Sequence, residues 1–264
     1  MTKIVGILNL TPDSFSDGGK FDSKDAALSQ VKKLIDDGAD VIDIGAESTR
    51  PGAKKISYQE EWSRLRGILP GIVQIVKSSD RKVKTSIDSY HFENIKKSFD
   101  AGMDIINDVT GLSDERIVDF IAAKNIQTIL MHNEKIEPLE GVVLNQHLNL
   151  TSKIFRWARE KINYLEKKGV NQENLIFDVG IGFGKDTDQS MRILKYIHYY
   201  KLLGLPLYVG HSKKSFLKGI DFSNYGSNLD AGEQTLIISK YLVDRGVDYL
   251  RVHDVAEHSK SAKK

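Results

Sequence analysis

The chain has 264 residues with 38 basic and 36 acidic side chains, a net charge of +2. That balance argues against nucleic acid or an anionic membrane as the main partner. There is no cysteine, which excludes disulfides, thiolate metal sites and a cysteine nucleophile and fits a reducing compartment. No basic-then-apolar leader opens the sequence and no apolar run reaches membrane-spanning length, so a cytoplasmic protein without membrane contact is expected.

Strands are predicted near 3–10, 41–45, 83–87, 104–108, 126–131, 174–179, 206–210 and 248–253. Between them, amphipathic patterns predict helices near 24–37, 58–78, 91–101, 114–124, 149–168, 187–203 and 229–245, with a short last helix near 254–262. Three helix ends share one device, a glycine followed by a buried-strand pattern: Gly38 before Val41, Gly102 before Ile105 and Gly246 before Tyr249. Eight such strand–helix units in a chain close to the ~250 residues of a β/α barrel predict a single-domain α/β fold over 1–264, a (β/α)8 TIM barrel. In that architecture the strand C-terminal ends share one face, and residues from 9 to 253 converge there. Three connections, 11–23, 46–57 and 132–148, are long, as loops that hold substrates are.

Several strand ends carry groups suited to chemistry. Asn9 to Gly19 reads Asn-Leu-Thr-Pro-Asp-Ser-Phe-Ser-Asp-Gly-Gly. Asn9 offers a hard oxygen suited to Mg²⁺, although the segment also reads as a plain turn. In Glu47-Ser48-Thr49-Arg50-Pro51-Gly52, Arg50 can grip a phosphate or carboxylate, or simply lie on the surface. Asp88, Asn107 and Asp178 stand at three strand ends and together complement a heterocycle bearing an amide and an amino group. For Asp88, a helix N-cap is the competing reading. Gly180-Ile-Gly-Phe-Gly-Lys185 fits neither the dinucleotide fingerprint nor the Walker pattern, which excludes NAD and ATP but leaves room for a flat ligand. Lys214, in Gly210-His-Ser-Lys-Lys-Ser-Phe216, can balance a carboxylate or cover a ring, or can be a solvated turn. Arg251 and His253 are two apart, so they share one strand face; inside a barrel mouth they form an anion site.

Seven segments, taken in order, resemble the dihydropteroate synthase family. They are Asn9–Gly19, Asp43–Gly52, Ile87–Tyr90, Ile106–Asp108, Phe177–Lys185, Ser212–Phe216 and Arg251–Val255. The resemblance implies a transferase of folate synthesis and target of sulfonamides. Such an enzyme joins 6-hydroxymethyl-7,8-dihydropterin pyrophosphate to 4-aminobenzoate, giving 7,8-dihydropteroate and pyrophosphate. It also implies that Asp88, Asn107, Asp178 and Lys214 hold the pterin, and that Asn9, Arg251 and His253 hold Mg²⁺-pyrophosphate. Phe15, Thr49, Arg50, Pro51 and Ser215 would surround the aminobenzoate, Phe183 would also touch substrate, and Asp17 would face the carbocation. Asp17, Lys214, Arg251 and His253 carry the catalytic burden in this reading, and the family implies a homodimer. The pattern departs from the family at Val179, where proline is usual, at Lys213, where arginine is usual, and after Met131.

No strong base is required, because an aniline nitrogen is unprotonated at neutral pH. A carboxylate ~4 Å from a cation contributes about 4 kcal/mol at an effective dielectric near 20. A ~10⁶-fold acceleration needs about 8 kcal/mol, so Asp17 alone does not suffice and the anion site must supply much of the rest. Two other functions share these motifs: a weak pterin-binding paralogue, and a pterin-dependent methyltransferase. The second has no pyrophosphate for Arg251 and His253 to hold.

Overall fold

Eight parallel strands close into a barrel in chain order: β1 (Lys3–Asn9), β2 (Val41–Gly45), β3 (Lys84–Asp88), β4 (Ile105–Asp108), β5 (Gln127–Met131), β6 (Leu175–Asp178), β7 (Leu207–Val209) and β8 (Tyr249–Val252). The structure is a computed structural model that describes residues 1–11, 20–48, 53–133, 150–226 and 228–262, without the side chains of 20–23. Nine α-helices are described: α1 (Lys20–Asp36), α2 (Tyr58–Leu65), α3 (Leu69–Lys77), α4 (Phe92–Asp100), α5 (Glu115–Lys124), α6 (Leu150–Lys167), α7 (Thr187–Lys195), α8 (Ala231–Asp244) and α9 (Val255–Ala262). The (β/α)8 expectation holds, and each strand lies within about two residues of where the apolar runs put it.

Two expected helices are broken. The helix expected over 58–78 is two, α2 and α3, because Pro70 lacks an amide hydrogen and sits in the first turn of the second. The helix expected over 187–203 stops at Lys195 and continues as a 3₁₀ segment, Ile197–Leu203, which buries Ile197, Tyr200 and Leu203 at its tighter spacing.

Two apolar layers hold the fold. Between strands and helices lies the larger core, with Ile4, Ile42, Ile87, Leu130, Phe177 and Leu250 fully buried. Inside the barrel, Val5, Val41, Ile105, Ile129, Ile176, Tyr208 and Tyr249 form a plug. The plug fixes the facing of every other residue, since side chains alternate along a strand. Two residues beyond a plug residue the chain points inward again, now toward the C-terminal mouth: Asp43 after Val41, Asn107 after Ile105, Asp178 after Ile176 and Arg251 after Tyr249.

Helix caps sort the acidic residues. Asp114, Asp186 and Asp230 accept from backbone amides at the starts of α5, α7 and α8, and the last two complete capping boxes. Asp88 is not a cap: α4 begins after His91, with no side-chain cap.

Candidate active site

Register places the polar strand ends on one rim. Asn9 pairs with Gly45, Gly45 with Asp88, and Asp88 with Asn107. Met131 pairs with Asp178, and Asp178 with Tyr208. Arg251 pairs with Val5, two inward positions below Asn9. A parallel barrel has one C-terminal face, so Asn9, Asp88, Asn107, Asp178, Arg251 and His253 share it.

The centre of the rim is a charge network. Arg251 Nε donates to Asp43 Oδ2 at 2.6 Å and its Nη2 donates to Asp88 Oδ2 at 2.7 Å. Asn107 Nδ2 donates to the same Asp43 oxygen at 3.1 Å. Asp43 is fully buried and Asn107 is 4% exposed. Two carboxylates therefore clamp one edge of the guanidinium. Burial pushes the Asp88 carboxyl above the usual range and repulsion from Asp43 adds to this, while Arg251 opposes them. The anion site expected from Arg251 and His253 is thus built on a paired arginine.

His253 is oriented by Ser212. The serine Oγ accepts from the His253 backbone amide at 3.3 Å and lies 2.9 Å from its Nδ1. These two contacts hold the imidazole ring on the rim beside β7.

Opposite lies the glycine-rich loop after β6. Asp178 Oδ1 accepts from Gly180 N at 2.8 Å. Burial raises this carboxyl, countered by the Gly180 amide and by the charges of Lys214, Lys185 and Arg251. Lys214 Nζ donates to Ile181 O and lies 4.7 Å from the centroid of the Phe183 ring. Burial lowers the Lys214 ammonium to about 8, with Asp178 opposing. Lys185, which stands where the dinucleotide fingerprint needs glycine, is a structural cation. Its Nζ donates to Gly180 O at 2.8 Å, Phe183 O at 2.9 Å and His132 O at 3.3 Å. It ties the glycine loop to the end of β5.

Beside the β2 exit, a second polar cluster was missed by sequence reasoning. Glu47 Oε1 accepts from Tyr90 Oη at 2.8 Å and from Ile56 N at 3.3 Å, and Oε2 lies 3.4 Å from His91 Nε2. Burial works against the Glu47 charge, but hydrogen bonds from His91, Tyr90 and Ile56 hold its carboxyl below the usual range. Buried Glu61, raised by burial, accepts from Ser89 and Asn94 at 2.8 and 2.6 Å.

Of the expected residues, Ser215 is exposed at the start of a 3₁₀ segment, Ser215–Gly219, next to Lys214. Phe15, Asp17, Thr49, Arg50 and Pro51 lie outside the described residues. Of the departure after Met131, residues 134–136 lie outside the described residues. Val179 is buried in the outer core, and Lys213 is exposed with its backbone amide bonded to Thr235 Oγ1. Asn133 Nδ2 bonds Val109 O at 2.9 Å, joining the β4 and β5 ends. Asp43 carried a readable signal: a carboxylate in a strand of otherwise apolar residues needs a buried partner, and Arg251 is the arginine in the predicted strands.

The fold and site define a (β/α)8 barrel whose C-terminal rim gathers carboxylates and a carboxamide around a clamped guanidinium. The sequence matches the pterin binding enzyme family over residues 5–253. The dihydropteroate synthase of Clostridium beijerinckii is 38% identical over 99% of this chain and 92% of its own length. Among solved structures, the Anaplasma phagocytophilum dihydropteroate synthase with bound 6-hydroxymethylpterin-monophosphate is 40% identical with a TM-score of 0.85, covering 99% of this chain and 97% of that one. The Xanthomonas albilineans enzyme with 4-aminobenzoic acid is 29% identical with a TM-score of 0.86, over 99% and 91%. The chain belongs to the pterin binding enzymes and, among them, to the dihydropteroate synthase family, whose members are transferases.

Proposed function

We propose that the chain joins 6-hydroxymethyl-7,8-dihydropterin pyrophosphate to 4-aminobenzoate, releasing 7,8-dihydropteroate and pyrophosphate in folate synthesis. The observation that carries this reading is one rim on which a ring-sized set of acceptors adjoins a clamped guanidinium. Asp178 keeps Oδ2 for a ring amino or amide hydrogen while Gly180 occupies Oδ1. Asn107 adds a carboxamide, and Lys214 supplies a donor for the ring carbonyl, its ammonium lying over the Phe183 ring. Arg251 and His253 meet the diphosphate.

The chemistry is an S_N1-like departure of pyrophosphate, followed by aniline attack on the pterin methylene. Arg251 and His253 take the charge that grows on the leaving group, where donors in a low-dielectric site act strongly. Asp88, Asp43 and Asp178 surround the ring side with negative charge that favours the cation. Asp17 is assigned the place nearest the cation, and Phe15, Thr49, Arg50, Pro51 and Ser215 the aminobenzoate. The described residues contain no group of three His, Asp or Glu side chains able to hold a metal alone. Asn9, inward-facing on the rim, fits the limited role of one hard oxygen for a Mg²⁺ ion otherwise held by diphosphate and water. Such an ion, when bound, neutralises the leaving group.

The test is a coupled assay for pyrophosphate. Release that requires both substrates supports the reading; release independent of 4-aminobenzoate, or none, contradicts it. Ring recognition should also depend on pH. The Lys214 ammonium titrates near 8, so affinity for 6-hydroxymethylpterin should fall as the pH rises through that value. Lys214→Arg stays charged throughout and should remove that limb, as isothermal titration between pH 6.5 and 9.5 would read.

We assign a cytoplasmic location; no described helix is long and apolar enough to cross a membrane. We also assign a homodimer, built on the outer groove between α6, α7 and α8. This cavity of about 1140 Å³ is lined by Tyr199, Phe222, Tyr225 and Tyr241, with Arg192 and Asp221 both present. A two-fold contact needs a self-complementary patch, and a groove with both charge signs supplies one. Tyr225 is 66% exposed and would be covered; sedimentation velocity tests this.

A further inference from the structure

Asp43 is absent from the residues assigned to substrate, yet it is the fully buried hub of the rim. Its Oδ2 accepts from Arg251 Nε at 2.6 Å and from Asn107 Nδ2 at 3.1 Å, with Oδ1 3.4 Å from the same nitrogen. An ionised carboxylate only accepts. The Asn107 carboxamide must therefore turn its nitrogen toward Asp43, so its oxygen is the atom left to the ligand side. The same carboxylate takes the Nε edge of Arg251 and leaves the outer edge of the fork to the anion. Gly45, the next inward position on β2, brings no side chain between Asp43 and the mouth, and Asp88 stands in the space a Cβ there would face, at 3.5 Å.

We propose that Asp43 is a positioning residue shared by the two halves of the site, fixing the Asn107 carboxamide with its oxygen toward the ring and the Arg251 guanidinium with its outer edge toward the diphosphate. Asp43 touches neither substrate. The inference rests on the proposed reaction only in taking Asn107 as a ring ligand.

The informative variant is Asp43→Asn. It keeps the volume and one acceptor oxygen but removes the charge. It also adds N–H donors that the Asn107 oxygen can accept, so the carboxamide is no longer held in one orientation. The probe 6-hydroxymethylpterin has no phosphate, so it reads the ring side of the site and not the diphosphate contact of Arg251. Its affinity should fall about tenfold, the scale of one misplaced buried hydrogen bond. Turnover reads both arms and should fall further, while KM for 4-aminobenzoate stays within about twofold of the parent. In an Asn107→Ala background the Asp43→Asn change should cost the probe little, because the group it orients is gone.

The outcomes separate. If Asn107→Ala leaves probe affinity unchanged, the ring assignment fails. If Asn107→Ala weakens the probe but Asp43→Asn does not, or if the two losses add, the positioning role is overturned and the reaction stands. A third measurement uses the parent protein, so it survives a variant that does not fold. With ¹⁵N-asparagine labelling, the Asn107 side-chain amide is assigned by its absence in Asn107→Ala. One of its two protons should be shifted downfield and protected from exchange. A side-chain amide exchanging as freely as that of a surface asparagine overturns the proposal.

Discussion

Arg251→Ala is expected to lower the rate of pyrophosphate release by at least three orders of magnitude. Removing a single donor to developing negative charge typically costs about 10²–10³ in turnover. Here the donor is a full charge, and its loss also frees Asp43 and Asp88, which it holds at 2.6 and 2.7 Å. The departing diphosphate would then face two uncompensated carboxylates. Arg251→Lys keeps the charge but not the fork, so it can satisfy one carboxylate and not both; its activity should lie between the two. The exposed Lys96, paired only with Asp100 on α4, provides a control: Lys96→Ala should release pyrophosphate at the parent rate. Parent-like turnover in Arg251→Ala would remove the anion site from the mechanism.

The same substitution should make stability depend on pH. Breaking a buried pair by removing one partner costs about 3–5 kcal/mol. Asp88 already has a raised carboxyl in the parent, and losing Arg251, which pulls it down, raises it further. A carboxyl raised in the folded state binds its proton more tightly there than in the unfolded chain. That contribution favours folding at low pH and is lost as pH rises through the folded value. The melting temperature of Arg251→Ala should therefore fall further below the parent at pH 8 than at pH 6. An offset that is the same at both would mean that Asp88 does not feel Arg251.

What could be read from the sequence follows from how buried groups announce themselves. Strands of a parallel barrel are covered on both faces, so Ile4–Leu8, Val41–Ile44 and Leu175–Phe177 stand out as short apolar runs, and each belongs to an observed strand. Pro70 lies inside the single helix expected over 58–78, and the apolar pattern continues on both sides of it, so periodicity does not display the break between α2 and α3. For the site, Asp88, Asn107, Asp178, Arg251 and His253 were legible because each lies at a strand end or one residue from it. Asp43 was harder, because it lies two residues below its rim and its meaning comes from Arg251, 208 positions away. Ser212 was hidden in the same way: its bond to His253 spans 41 positions and exists only once β7 and β8 pair. Lys185 was read by its failure to match nucleotide motifs. Its actual role, holding three backbone carbonyls, has no spacing that a sequence could display.

Gly180→Ala is expected to damage stability and activity together, because this glycine meets two separate demands. Its φ of +66° lies in the left-handed region, where an alanine costs about 1–2 kcal/mol. A Cβ there would also sit 2.1 Å from His132 O, a backbone atom of the barrel wall that has no side-chain freedom to yield. The loop must move, and three bonds move with it: Gly180 N to Asp178 Oδ1, and the Lys185 bonds to Gly180 O and His132 O. A total loss of about 3 kcal/mol or more follows, and at about 2–4 °C per kcal/mol for a domain of this size the melting temperature should drop by about 6–12 °C. The freed Asp178 no longer presents one fixed oxygen to the ring, so binding of 6-hydroxymethylpterin should weaken even at temperatures where the fold survives. Gly67→Ala is the matched control: a Cβ there meets nothing within 4 Å, and it should melt within about 2 °C of the parent. Equal melting temperatures for the two alanine variants would show that the glycine loop can shift off the β5 end without cost, and the rigid ring platform assigned to Asp178, Lys185 and Lys214 would have to be given up.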